Sequence, residues 1–170
     1  MKSLLFFAAI CFSIVAFGQT ETAKRPSPPA SVTQTIENGA TIIIHYSQPS
    51  VKGRTIGKDL EPLDGKVWRT GANEATTFEV NKDVQIEGKT LPAGKYGLFT
   101  VTNGNEWTVI FNKTWNQWGA FNYKEADDVL RVKADRDKAD SFSEQLIFTV
   151  GKNGEVTLLW GDNEVEFKVK

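Results

Sequence analysis

Cysteine is all but missing. The single one, Cys11, lies within an apolar stretch at the start of the chain. Beyond it there is no thiol nucleophile, no thiolate metal ligand and no pair that could form a disulfide. Histidine is as scarce: His45 stands alone, and a zinc site needs at least two further strong ligands. Charge of one sign is lacking too, with 20 Lys and Arg against 21 Asp and Glu. No basic block or stripe is present, which argues against nucleic acid as a partner. No apolar run reaches the roughly 20 residues that a membrane-spanning helix needs.

The longest apolar run, "LLFFAAICFSIVA" (Leu4 to Ala16), follows the cation Lys2 and ends in "AFGQ", with Ala16 and Gly18 at the two positions a signal peptidase reads. Residues 1–18 therefore read as a signal peptide, with Gln19 the first mature residue and an exported, periplasmic or envelope-associated protein the expected product. Ile10 before Cys11 is not the small residue that a lipoprotein signal requires. Residues 19–31, rich in proline and polar side chains, are expected to be a flexible tether. Residues 32–170 are long enough to bury a core and are expected to be one domain.

In that domain apolar and polar residues alternate, and hairpin signals interrupt them. Asn38-Gly39, Asn103-Gly104 and Asn153-Gly154 each separate two alternating runs, and Asn-Gly suits tight hairpins because both central residues take positive φ. The expected fold is all-β: a single antiparallel β-sandwich or flattened barrel of about ten strands built from hairpins. In the final strand Val165, Phe167 and Val169 should face inward. "NQWGAFNYKEADD" leaves room for one or two helical turns.

Few residues present themselves for chemistry. His45, in "ATIIIHYS", reads first as a hydrogen-bonded core residue and second as a base. "ADRDKADS" offers three aspartates but lacks the glycine and terminal glutamate of a calcium loop, and reads as a solvated turn. There is no G-x-S-x-G elbow and no S-x-x-K. Two-carboxylate chemistry could pair Glu74 with Asp59, Asp64 or Asp128, a matter of separation. The aromatic segment "FNKTWNQWGAFNY" would cap an open end of the sandwich or line a pocket with Trp115 and Trp118. It also contains the sequon Asn112-Lys113-Thr114.

The stretch "VWRTGANEATTF", residues 67–78, breaks the alternation. Arg69 brings a planar fork of donors suited to carboxylate or phosphate, and Trp68 a face for a sugar or cation. Gly71 and Ala72 permit close backbone approach, while Asn73, Glu74, Thr76 and Thr77 add donors and acceptors. Upstream, "YSQPSVKGRTIG" carries Arg54 in a turn-rich loop. Two arginine loops could be opposite lips of one cleft; alternatively Arg69 and Glu74 could form an ion pair that clasps the sandwich shut.

"YSQPSVKGR", "VWRTGANEATTF", "LPAGKYGLFT", "WTVIFN" and "WG…Y…DDVLRV" occur here in an order that resembles the bacterial family called domain of unknown function 2911. The resemblance runs from about Pro28 to the C-terminus. It implies a compact, mostly β domain in signal-peptide-bearing proteins of Gram-negative bacteria. It implies no activity and no residue roles.

Three functional expectations follow. The leading one is an exported module binding a small polar ligand, a saccharide or anionic metabolite, between the Arg54 and Arg69 loops. Trp68 or Trp118 would stack on it, and Asn73, Glu74 and Thr76 would orient it. The second is a hydrolase with Glu74 as acid or base, assisted by Asp128 or His45. The third is a structural or partner-binding envelope domain in which Arg69 and Glu74 form the clasp. No metal or cofactor is expected in any of the three.

Overall fold

The computed structural model describes residues 25–170; the expected signal peptide and the first part of the proline-rich segment lie outside the described residues. Nine strands follow in chain order: β1 (Pro29–Thr35), β2 (Thr41–Ser47), β3 (Thr77–Val80), β4 (Val84–Ile86), β5 (Lys89–Leu91), β6 (Gly94–Asn103), β7 (Glu106–Asn112), β8 (Asp128–Val150) and β9 (Glu155–Lys168). Seven form one antiparallel sheet in the order β1-β2-β3-β6-β7-β8-β9, and β4-β5 form a small second sheet. The fold is all-β, a curled sheet of sandwich or half-barrel type. A 3-10 turn at Glu125–Asp127 falls within the segment expected to hold helical turns.

The three Asn-Gly pairs all make hairpins. Gly39, Gly104 and Gly154 sit at φ of 80°, 62° and 84° in the turns joining β1 to β2, β6 to β7 and β8 to β9. One expectation needs correction. "ADRDKADS" is not a solvated turn but the middle of one strand of 23 residues, Asp128–Val150. The aspartates do not break it because β9 keeps pairing alongside, Asp135 opposite Glu166 and Asp137 opposite Glu164, until the register shifts between Lys138 and Ser143. β9 runs unbroken from Glu155 to Lys168. With the short β5 added, the described residues hold nine strands.

β8 also curls the sheet back on itself. Its distal half meets the chain just after β2: Val51 N–H donates to Glu144 O at 2.9 Å and Leu146 N–H to Pro49 O at 3.1 Å. Inside the curl lies the main core, with Phe78, Phe111 and Phe167 packed mutually at centroid distances of 5.1 to 6.4 Å. Val165, Phe167 and Val169 are all buried there, as the alternation predicts. Burying each such side chain contributes about 1.5–3 kcal/mol.

The opposite face of the sheet carries a smaller core. Phe99, Ile110 and Ala75 are buried together, with Tyr123 packed against them. Residues 113–124 cover this cluster. The capping is done by Tyr123, edge-on to Phe99 at 5.2 Å, and by Ala120. Trp115 and Trp118, the expected caps, are 37% and 55% exposed. Asn112 of the sequon is fully buried, and its amide donates to Lys124 O and Asp128 Oδ1.

Candidate functional site

The twelve-residue stretch is a closed turn whose backbone bonds are made within the fold. Trp68 and Thr100 exchange backbone hydrogen bonds of 2.8 and 2.9 Å, and Thr76 N–H returns to Arg69 O at 3.2 Å. The Thr76 hydroxyl donates to Thr70 O at 2.8 Å, and the Trp68 indole N–H to Gly71 O at 3.0 Å. Thr70 and Asn73 take φ of 52° and 57° so that the chain can reverse. Gly71 is required for another reason. A Cβ there would stand 2.9 Å from Thr76 Oγ1 and 3.1 Å from Ser47 O, closer than packed atoms tolerate.

Two assignments change. Trp68, 2% exposed and 6.4 Å from Trp160, has no face free for a ligand. Thr76, fully buried, holds the turn together. Both were expected to meet a ligand, yet their hydrogen-bonding groups are engaged inside the protein.

The turn sends its charged residues to different places. Arg69 and Glu74 do not meet. Arg69 Nη1 lies 3.7 Å from Glu61 Oε2, whereas Glu74 receives 2.8 and 2.9 Å hydrogen bonds from Arg25. The clasp expected from the sequence is thus replaced by two separate pairs. The reason is geometric: Asn73 and Glu74 are tied by backbone to the covering loop, Gly119 N–H donating to Asn73 O at 2.9 Å and Glu74 bridging to Trp118. Asn73 Nδ2 donates to Ser27 O at 3.0 Å, which holds the N-terminal segment against the turn.

Arg69 does share a cavity with Arg54, as the cleft reading expects. The cavity measures about 190 Å³ and is lined also by Glu61, Pro49, Gly71, Trp160 and the small accessible part of Trp68. Arg54 directs its fork at its own loop, Nε to Val51 O at 3.1 Å and Nη2 to Ser50 O at 2.7 Å. Arg69 differs. Its Nε is buried with no partner among the described residues, and Glu61 is its one ion-pair contact there.

Glu74 opens instead onto a larger groove of about 380 Å³. Its floor is the outward face of β2, β3 and β6, where register puts His45 opposite Thr77 and Thr77 opposite Gly97. Gly97 has no side chain, so the covering loop settles close; a Cβ there would be 3.3 Å from Trp115 Cα. His45 is not the core residue expected: Ile42, Ile44 and Tyr46 take the core face and leave it exposed on the other. Lys95 lies 4.5 Å from the Trp115 ring centre and 3.8 Å from Glu79. Trp118 lines neither cavity.

The groove could not be seen in the sequence, although the exposed alternate face of β2 gave its one usable signal. The Glu74 carboxyl is held below its usual range, first by a backbone N–H and then by the Arg25 hydrogen bond. Its candidate partners lie elsewhere. Asp128 accepts hydrogen bonds from Asn112 and Tyr123 at 2.7 Å, Asp64 from Thr102 and Asp59 from Thr55 N–H. Among the described residues no group of three His, Cys, Asp or Glu is placed to hold a metal ion, and no helix is long and apolar enough to cross a membrane.

A family model described as a protein of unknown function, DUF2911, matches residues 27–169. No curated protein and no solved structure matches the chain.

Proposed function

The chain belongs to the DUF2911 family, a membership that assigns no chemistry, and we propose from the site itself that it is an exported binding module for a small anion. The ligand sits in the cavity between the Arg54 and Arg69 loops, with Arg69 as its principal contact.

One observation carries this reading: the Arg69 Nε–H is buried without an acceptor among the described residues, and Arg69 lines a cavity that also brings a second arginine. A buried donor left unpaired costs roughly 1–3 kcal/mol, and a carboxylate or phosphate presented to the fork removes that cost with charge-assisted bonds. Two arginines against Glu61 leave the lining net positive. A volume of about 190 Å³, below the roughly 300–1,000 Å³ of drug-sized sites, suits phosphate or a short carboxylate better than an oligosaccharide. Export rests on the expected signal peptide at residues 1–18. The hydrolase reading, with Glu74 as acid or base, draws no comparable support, because such a group works best with a pKa near the operating pH and the Glu74 carboxyl is held below its usual range, first by its backbone N–H and then by Arg25.

Isothermal titration with inorganic phosphate and a panel of di- and tricarboxylates tests the proposal. Binding by the wild type, weakened at least tenfold in Arg69→Lys and lost in Arg69→Ala with the thermal midpoint preserved, is the expected pattern. Equal affinity in Arg69→Ala, or no anion bound by the wild type, overturns it.

A further inference from the structure

We propose that the groove over the outer sheet face is a second, chemically distinct binding site, taking a neutral hydroxyl-rich ligand of the saccharide class through Thr77, His45 and Asn116 beside Trp115. It lies apart from the arginine cavity, and neither proposal depends on the other.

The Thr77 hydroxyl favours such a ligand. Thr77 is 8% exposed, lines the groove, and its Oγ1 has no hydrogen-bond partner among the described residues. Most buried hydroxyls are bonded, and one that is not calls for an explanation. A hydroxyl can both donate and accept, which is what another hydroxyl requires of it. His45 stands directly opposite in the strand register and is exposed, with no side-chain hydrogen bond among the described residues. Its imidazole offers one donor and one acceptor when neutral.

The charges of the groove favour a neutral ligand. The cations of the groove are already matched, Arg25 with Glu74 at 2.8 Å and Lys95 with Glu79 at 3.8 Å. An anion would have to displace a carboxylate, and a cation an ammonium or guanidinium. A neutral ligand displaces neither. Asn116 supplies both donor and acceptor, and Trp115, 37% exposed and already approached by Lys95 at 4.5 Å from its ring centre, supplies its remaining aromatic surface for C–H groups. About 380 Å³ falls within the range of roughly 300–1,000 Å³ typical of small-molecule sites.

The test is a titration of the protein with neutral mono- and oligosaccharides of glucose, galactose, mannose and N-acetylglucosamine, followed by tryptophan fluorescence and saturation-transfer NMR. At least one should bind, with affinity lowered about tenfold by Thr77→Val, an isosteric change that removes a single hydrogen-bonding group. His45→Ala, an exposed substitution that leaves the core alone, should weaken it comparably. Arg69→Ala should leave saccharide binding unchanged, which separates this site from the arginine cavity. The proposal fails if no neutral saccharide binds, if Thr77→Val and His45→Ala both bind as the wild type does, or if the groove variants alter phosphate binding instead.

Discussion

Within the turn at 67–78, Trp68, Thr70, Gly71 and Thr76 on one side contrast with Arg69, Asn73 and Glu74 on the other. The first four are buried, and their polar groups close bonds inside the turn or, for the Thr70 hydroxyl, to Thr100 of the adjoining β6. The other three point away from it, to a positively charged cavity, to the N-terminal segment and to a charge-matched groove. Such a concentration of polar residues need not be one site. Half of it is the scaffold that fixes where the other half stands, and two neighbouring cavities of unlike character result.

If that division is right, substitutions in the buried half should cost stability. The largest effect belongs to Trp68→Ala, which removes the packing on Trp160 and the bond to Gly71 O. Urea unfolding should show a loss of about 3–5 kcal/mol. A loss below 1 kcal/mol would mean that Trp68 is not scaffold. Gly71→Ala comes next. Its methyl group would press on Thr76 Oγ1 and on the Ser47 backbone, and overpacking of this kind costs roughly 1–3 kcal/mol. Unchanged stability there would show that the turn can open without penalty. The third sits on the boundary between the halves. Asn73→Ala should cost about 1 kcal/mol, because Asn73 takes a left-handed φ of 57° that alanine resists. Asn73→Gly should recover most of that loss while still lacking the bond to Ser27 O. Equal stability of the two variants would show that backbone conformation is not what Asn73 provides.

Most of the fold was legible in the sequence, since Asn-Gly turns and period-two alternation are local signals. The three hairpins and the inward row of Val165, Phe167 and Val169 needed nothing else. The aspartate-rich stretch of β8 misled because strand or turn was decided by its partner β9, not by its own composition. The site was legible in part. Arg54 and Arg69 do line one cavity, yet the choice of Arg25 for Glu74 and Glu61 for Arg69 rests on chain reversals that spacing does not encode. The groove was hidden for the same reason, as it depends on His45, Thr77 and Gly97 falling side by side on three strands.

The smallest expected effect is the most direct check on the exposed half. Glu74 and Arg25 are each about half exposed, so solvent screens their pair, and such surface pairs contribute about 0–1 kcal/mol. Their signature should lie in the titration instead. The folded-state pKa of Glu74 is lowered from the usual 4.5, with its backbone N–H as the largest cause and Arg25 the next. A carboxyl lowered on folding contributes stability that is present above the unfolded-state pKa and is lost as pH falls through the folded-state value. Carbon-detected NMR titration of the Glu74 carboxyl should therefore give a midpoint below 4.5. Arg25→Ala should move that midpoint upward but not fully to the ordinary value, because the backbone bond survives. The same variant should barely alter stability at neutral pH. If Arg25→Ala left the midpoint where it was, Arg25 would not be the partner of Glu74 in solution, and the charge balance of the groove would have to be redrawn with Arg25 as a free cation.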